Sequence, residues 1–210
     1  MRFSLFSSSK RRLRGLLFVA LCAAWPVSAA ADALALASNY LNQLTTAEGT
    51  FTQYNPDGTV STGDFALRRP GKMRMDYHGE KSPLLIVGAG RVAIFDRTWS
   101  HNRPEQYPLH RTPLGPLLAR NVDLSRSDMV IGEMATDERI IVMARDPKHP
   151  EYGVAQFGFE GDPMRLASWT MTNELGETTH IEFGPLETGH KLPLLLFSVE
   201  HQMEKGRRGR

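Results

Sequence analysis

Arg69 is the side chain in this sequence whose chemistry its neighbours do not explain. In the stretch from Gly63 to Tyr77 the two-residue period of a strand places Phe65 and Leu67 on one face, and Arg69 falls on that same face. A guanidinium aimed at an apolar interior is costly unless an acceptor waits there. Its chemistry is donation, from a planar fork of N–H groups with no acceptor of its own. After Pro70-Gly71 the alternation resumes, with Met73, Met75 and Tyr77 opposite Arg74 and Asp76.

The rest of the reactive inventory is thin. Seven histidines (His78, His101, His110, His149, His180, His190 and His201) are scattered beside turns, with no i,i+4 pair and no cysteine partner for a metal. No Gly-x-Ser-x-Gly elbow occurs, and no glycine-rich phosphate loop precedes a helix. Acidic pairs such as Asp137-Glu138 sit at polar turns, where solvated charge is the default reading. The expectation is a protein without catalytic residues, metal or cofactor. A small hydrolase on a β scaffold lacks its nucleophile and base.

What the chain does offer is soft apolar lining. Met73, Met75 and Met171 lie on strand-like segments with Phe51, Phe65, Leu67, Phe95 and Trp169. Thioether side chains adapt to irregular apolar partners. Two uses remain open, a filled β core or the wall of a cavity for a hydrocarbon chain. Burying such a chain contributes about 0.8 kcal/mol per CH₂ without any polar contact.

These residues need a scaffold, and the pattern supplies a mainly β one. Ala33 to Leu44 reads as a helix, with Leu34, Ala37, Leu41 and Leu44 at helical spacing and Asp32 as N-cap. Strands are expected over 47–55, 59–68, 72–77, 84–87, 92–96, 129–134, 139–145, 153–160, 165–173, 177–183 and 194–201, joined by turns such as Pro56-Asp57-Gly58 and Gly88-Ala89-Gly90. Connections this short favour antiparallel neighbours in a curved sheet or barrel. Residues 98–128 interrupt the pattern. Pro104, Pro108, Pro113 and Pro116 argue against a strand there, and a short apolar helix is expected from Thr112 as N-cap and Pro113 at the first position, carrying Leu114, Leu117 and Leu118. It serves either as core filler or as a lid.

The first 31 residues read as a cleaved signal peptide. Arg2, Lys10, Arg11, Arg12 and Arg14 precede an apolar run from Gly15 to Trp25, too short to anchor in a bilayer, and small residues follow up to Ala31. Cys22, the only cysteine, lies in that leader behind Leu21 rather than a small residue, so no acylated cysteine is expected. Loss of the leader leaves 20 basic against 23 acidic side chains, and Lys205, Arg207, Arg208 and Arg210 concentrate positive charge in the tail. With no basic stripe among aromatics, nucleic acid is not an expected partner. The remaining 32–210 is long enough for one domain with a sizeable core.

Phe51-Thr52-Gln53, then Gly63-Asp64-Phe65, then Leu67-x-Arg69-Pro70-Gly71-Lys72-Met73-Arg74 resembles, in order and spacing, the family of periplasmic outer-membrane lipoprotein carriers, LolA. Thr112-Pro113-Leu114, Leu117-Leu118-Ala119 and Asn121-Val122-Asp123-Leu124 fit the same pattern. The resemblance implies an unclosed antiparallel half-barrel with an N-terminal helix and an inserted helical lid over a hydrophobic cavity. It implies a monomeric carrier that takes acylated lipoproteins from an inner-membrane LolCDE-type ABC transporter and passes them to an outer-membrane LolB-type receptor. It also gives Arg69 the role of a latch, donating from the sheet to the lid around Thr112–Asn121. A LolB-like receptor is disfavoured by the missing acylated cysteine, while a periplasmic free-lipid-binding or sensor module on the same half-barrel stays open. The chain departs from the family pattern at Gly88-Ala89-Gly90-Arg91, where Asp-Gly-Lys is expected, and in its basic tail.

Overall fold

The computed structural model describes residues 28–80, 82–96, 103–112 and 114–208. Most of the expected leader, and Trp99 and His101, lie outside the described residues. An N-terminal helix, α1 (Ser28–Gln43), leads into β1 (Thr46–Tyr54), β2 (Val60–Arg68), β3 (Lys72–Tyr77), β4 (Leu84–Gly88) and β5 (Arg91–Phe95). A connection holding β6 (Glu105–Pro108) and the one-turn helix α2 (Gly115–Leu118) follows. The second half comprises β7 (Val130–Ala135), β8 (Arg139–Ala144), β9 (Val154–Glu160), β10 (Arg165–Thr172), β11 (Thr178–Phe183) and the two-residue β12 (Glu187–Thr188), and α3 (Val199–Arg208) closes the chain.

The strands form one open, twelve-stranded antiparallel sheet in the order β6-β5-β4-β3-β2-β1-β11-β10-β9-β8-β7, with β12 beside β1. Each half is a run of hairpins, and β1 pairing with β11 joins the halves in register Phe51 with Phe183. Side chains alternate across the sheet. The inner face carries Phe51, Phe65, Leu67, Met73, Met75, Phe157 and Trp169, and Ala33, Leu34, Ala37, Leu41 and Leu44 of α1 pack into the same core. One glycine is dictated by this packing. A Cβ at Gly63 would meet the Phe51 ring at 2.5 Å, because that ring crosses Gly63 to pack edge-on against Tyr77, 4.9 Å between centroids.

Several expectations need correction. The final segment is not a strand over 194–201 but a 3₁₀ turn (Leu194–Phe197) followed by α3. Ser198 starts the helix, its Oγ accepting from the His201 N–H at 3.1 Å, and Val199 and Met203 share the buried side one turn apart. That helix covers the outer face of β4 and β5, so Phe95 lies with Leu84, Ile86, Ala93 and Val199 on the side of the sheet away from the lining residues. Val92 and Ile94 are the β5 residues that reach the inner core. The proline-rich connection does hold a strand, β6, which pairs with β5. It is an edge strand, and Pro108 is its last residue, where a missing N–H is tolerated. Helix α1 begins before Asp32, so Asp32 is inside the helix rather than its N-cap. Helix α2 starts two residues later than expected, with Leu114 as N-cap and Pro116 in its first turn. Thr112 Oγ1 donates back to the Leu109 carbonyl at 2.8 Å instead of capping.

Candidate functional site

The two arginines at the end of β2 point to opposite faces of the sheet. Arg68 Nη1 donates to the carbonyl of Leu192 on the outer face. Arg69, one residue later, reaches the inner side, where its Nη2 donates to the carbonyl of Ala119 at 2.6 Å. The turn between β2 and β3 adds a second bond, from the Gly71 N–H to the carbonyl of Leu118 at 2.9 Å. Gly71 adopts a φ of +68°, open to glycine at no steric cost. Helix α2 is a single turn, so its last carbonyls have no partner within the helix. Gly71 and Arg69 supply those partners. Burial pushes the Arg69 guanidinium down from its ordinary pKa, though an arginine remains charged.

A second set of polar contacts fixes the strap that follows α2 onto α1. The Asn42 side chain accepts from the Val122 N–H and donates to the Val122 carbonyl, both at 2.9 Å. Buried Ser38 accepts from the Leu124 N–H at 3.0 Å and donates to the Leu34 carbonyl at 2.6 Å. Sequence reasoning missed both. Their signal was two polar residues one turn apart, beside the apolar stripe of α1.

Between strap, α1 and sheet lie Leu114, Leu117 and Leu118, all buried against the inner core with Phe51, Phe65, Leu67, Met73, Met75 and Trp169, while Met171 packs at its margin. Leu41, Phe65, Met73, Leu117, Phe157 and Trp169 surround a void of about 10 Å³. That is room for one water-sized sphere, far short of an acyl chain. Trp169 Nε1 is buried here with no hydrogen-bond partner among the described residues. At one end of the core Tyr77 donates to Gln53 Oε1 at 2.6 Å, and burial pushes the Tyr77 pKa up to about 12. The Tyr40 hydroxyl accepts from the Leu166 N–H at 2.9 Å, and burial raises its pKa more than that bond lowers it.

The family model described as "Outer membrane lipoprotein carrier protein LolA" matches residues 42–200. The chain belongs to the LolA family. A protein named outer-membrane lipoprotein carrier protein from Leptothrix cholodnii is 25% identical over 201 residues, covering 91% of this chain and 93% of its own. Its namesake from Methylococcus capsulatus is 27% identical over 166 residues, covering 76% and 79%. A solved domain from Vibrio parahaemolyticus, described as a putative outer membrane lipoprotein-sorting protein domain, covers 83% of this chain and 98% of its own at 9% identity, with a TM-score of 0.49. The family's role is lipoprotein carriage, and in this LolA-family chain the sheet and strap residues around the void and the Arg69–Ala119 contact lie within the matched region, while Leu41 of α1 lies just before it.

Among the described residues, one group has metal-ligand proximity: Glu48, Glu187 and His190 bring ligand atoms within 4.8 Å of one another. Glu187 and His190 are exposed, and the His190–Glu187 approach of 3.5 Å is that of a solvated pair.

Proposed function

We propose that this protein is a periplasmic carrier that buries the acyl chains of lipoproteins between its sheet and its strap. It accepts them from an inner-membrane LolCDE-type transporter and passes them to an outer-membrane LolB-type receptor, with no covalent step. The observation that carries the reading is the Arg69–Ala119 hydrogen bond, set over a core whose void is about 10 Å³. An empty carrier must hide its apolar lining from water, and here the strap leucines fill the space that cargo would take. The 109–126 strap is the lid of this reading and Arg69 its latch.

Loading exchanges one apolar partner for another. The strap leucines leave the lining and acyl chains replace them, each buried CH₂ contributing about 0.8 kcal/mol. The broken bonds from Arg69 and Gly71 offset part of that gain, so cargo is held firmly but can be released. Trp169 Nε1 gives a polar handle inside the apolar site, since an ester or amide carbonyl of the cargo would supply the acceptor it lacks.

The test is incubation of the purified mature protein with lipoprotein-bearing spheroplasts. Release of lipoprotein as a soluble one-to-one complex is expected. Retention of every lipoprotein in the membrane would instead favour a module for free lipid.

A further inference from the structure

A second site lies outside the lined core, where the start of β1, the end of β2 and the 189–192 loop meet. These segments enclose a pocket of about 290 Å³ whose wall includes Thr46, Arg68, Arg69, Gly189, His190 and Lys191. Its composition is unusual for a chain that is net acidic once its leader is removed. Two arginines, a lysine and a histidine contribute to its lining, the arginines from opposite faces at the strand end. Among the described residues no ion pair engages Arg68, Arg69 or Lys191. His190 has two carboxylates nearby, Glu187 at 3.5 Å and Glu48 within 4.8 Å, so the charge argument rests on the other three.

Two of these lining residues each carry a buried polar atom with no partner among the described residues, Arg69 Nε and Thr46 Oγ1. Leaving such groups unpaired costs on the order of 1–3 kcal/mol each, more when the group is charged. Both are closed to solvent as the wall stands, and a side-chain rotation would turn each toward an oxyanion in the pocket. Arginine forks and a hydroxyl are the donors that suit the several acceptor oxygens of a phosphate. We propose that this pocket binds a phosphate oxyanion. Nothing in lipoprotein carriage requires such a site, and the proposal stands independently of the carrier reading.

The neighbouring surface bears on where the phosphate comes from. Thr46 and Gly189 also wall a second cleft of about 600 Å³, whose other side carries Tyr40, Leu44, Met164 and Leu186. A cationic pocket opening beside a partly apolar cleft suits the headgroup and chain of a phospholipid, whereas free inorganic phosphate would use the pocket alone.

The experiment is a titration of the ¹⁵N-labelled mature protein, followed by amide shifts, with inorganic phosphate, short-chain phosphatidylglycerol and sodium chloride of matched ionic strength. Saturable phosphate shifts at Thr46, Arg69, Gly189 and Lys191 are expected, weakened about tenfold in Lys191→Ala and in Thr46→Val. Unchanged urea midpoints in both variants would show that the fold is intact. Tighter binding of phosphatidylglycerol, with added shifts at Leu44 and Met164, would assign the phosphate to a lipid headgroup; equal affinity would assign it to the free anion. Shifts no larger than those from sodium chloride, or affinity indifferent to both variants, would overturn the proposal.

Discussion

Arg69 and Ala119 stand fifty residues apart in the chain, and the guanidinium of the first donates to the carbonyl of the second across 2.6 Å. The contact ties the end of a β hairpin to the end of the one-turn helix that caps the apolar core. A charge-assisted bond of this kind is worth about 1.5–3 kcal/mol, enough to bias an equilibrium between closed and open strap. Arg69→Leu removes it and leaves an apolar side chain over the lining. Loading should then proceed at close to the parent rate, while transfer to receptor-bearing membranes slows about tenfold or more. Arg69→Lys, which keeps the charge but not the fork, should fall between. Parallel rate measurements of loading and transfer check this, and equal effects on both steps would remove the latch from the account.

The strap's other attachment is structural, and its removal should act on stability. Asn42→Ala deprives both backbone groups of Val122 of their partners. A loss of about 1–3 kcal/mol is expected in urea unfolding, with faster amide exchange at Val122 and Leu124. A variant as stable as the parent would mean that water replaces the amide without cost.

The β4–β5 turn carries removable strain. Ala89 is exposed and holds a φ of +50°, next to Gly90 at +75°. This is the left-handed pair of a two-residue hairpin turn, where Asn-Gly is favoured and alanine costs roughly 1 kcal/mol. Ala89→Asn should therefore raise the urea midpoint by an amount equivalent to about 1 kcal/mol and leave loading unchanged.

Tyr77 makes the stability depend on alkaline pH. Burial raises its folded pKa to about 12 from an ordinary 10.0, so folding favours the protonated phenol. That contribution is fully present below pH 10 and is lost as pH rises through about 12. Tyr40, also raised, acts with the same sign. Urea midpoints measured from pH 8 upward should decline less steeply in Tyr77→Phe than in the parent. A parallel decline would mean that Tyr77 ionises without resistance.

Much of the sheet was legible because its two faces differ in polarity. Phe65, Leu67, Met73 and Met75 alternate with polar residues, and the β2–β3 hairpin follows from that alternation and from Pro70-Gly71. The parity of Arg69 was readable in the same way, but its acceptor was not, because a backbone carbonyl fifty residues away leaves no mark in side-chain pattern.

Legibility failed where the sheet is covered on both sides. Leu84 to Val87 is continuously apolar because Leu85 and Val87 join the inner core while Leu84 and Ile86 pack under α3, which removes the parity that would have placed Phe95. Helix α3 itself was hidden by the apolar run Leu194–Phe197 before it, although Ser198, Glu200 and the basic last turn are ordinary marks of a helix.

The central claim, that acyl chains enter the space now filled by the strap leucines, is tested most directly at Trp169 on the wall of the void. A chain expressed from Asp32 lacks Trp25, and Trp99→Phe then leaves Trp169 as its sole indole. Its fluorescence is followed while a lipopeptide brominated midway along its acyl chains is added, with an unbrominated lipopeptide as control. Saturable quenching by the brominated cargo alone is the result this account predicts. Full binding of the brominated lipopeptide, shown by co-migration on gel filtration, with Trp169 emission unchanged would contradict it and place the acyl chains elsewhere.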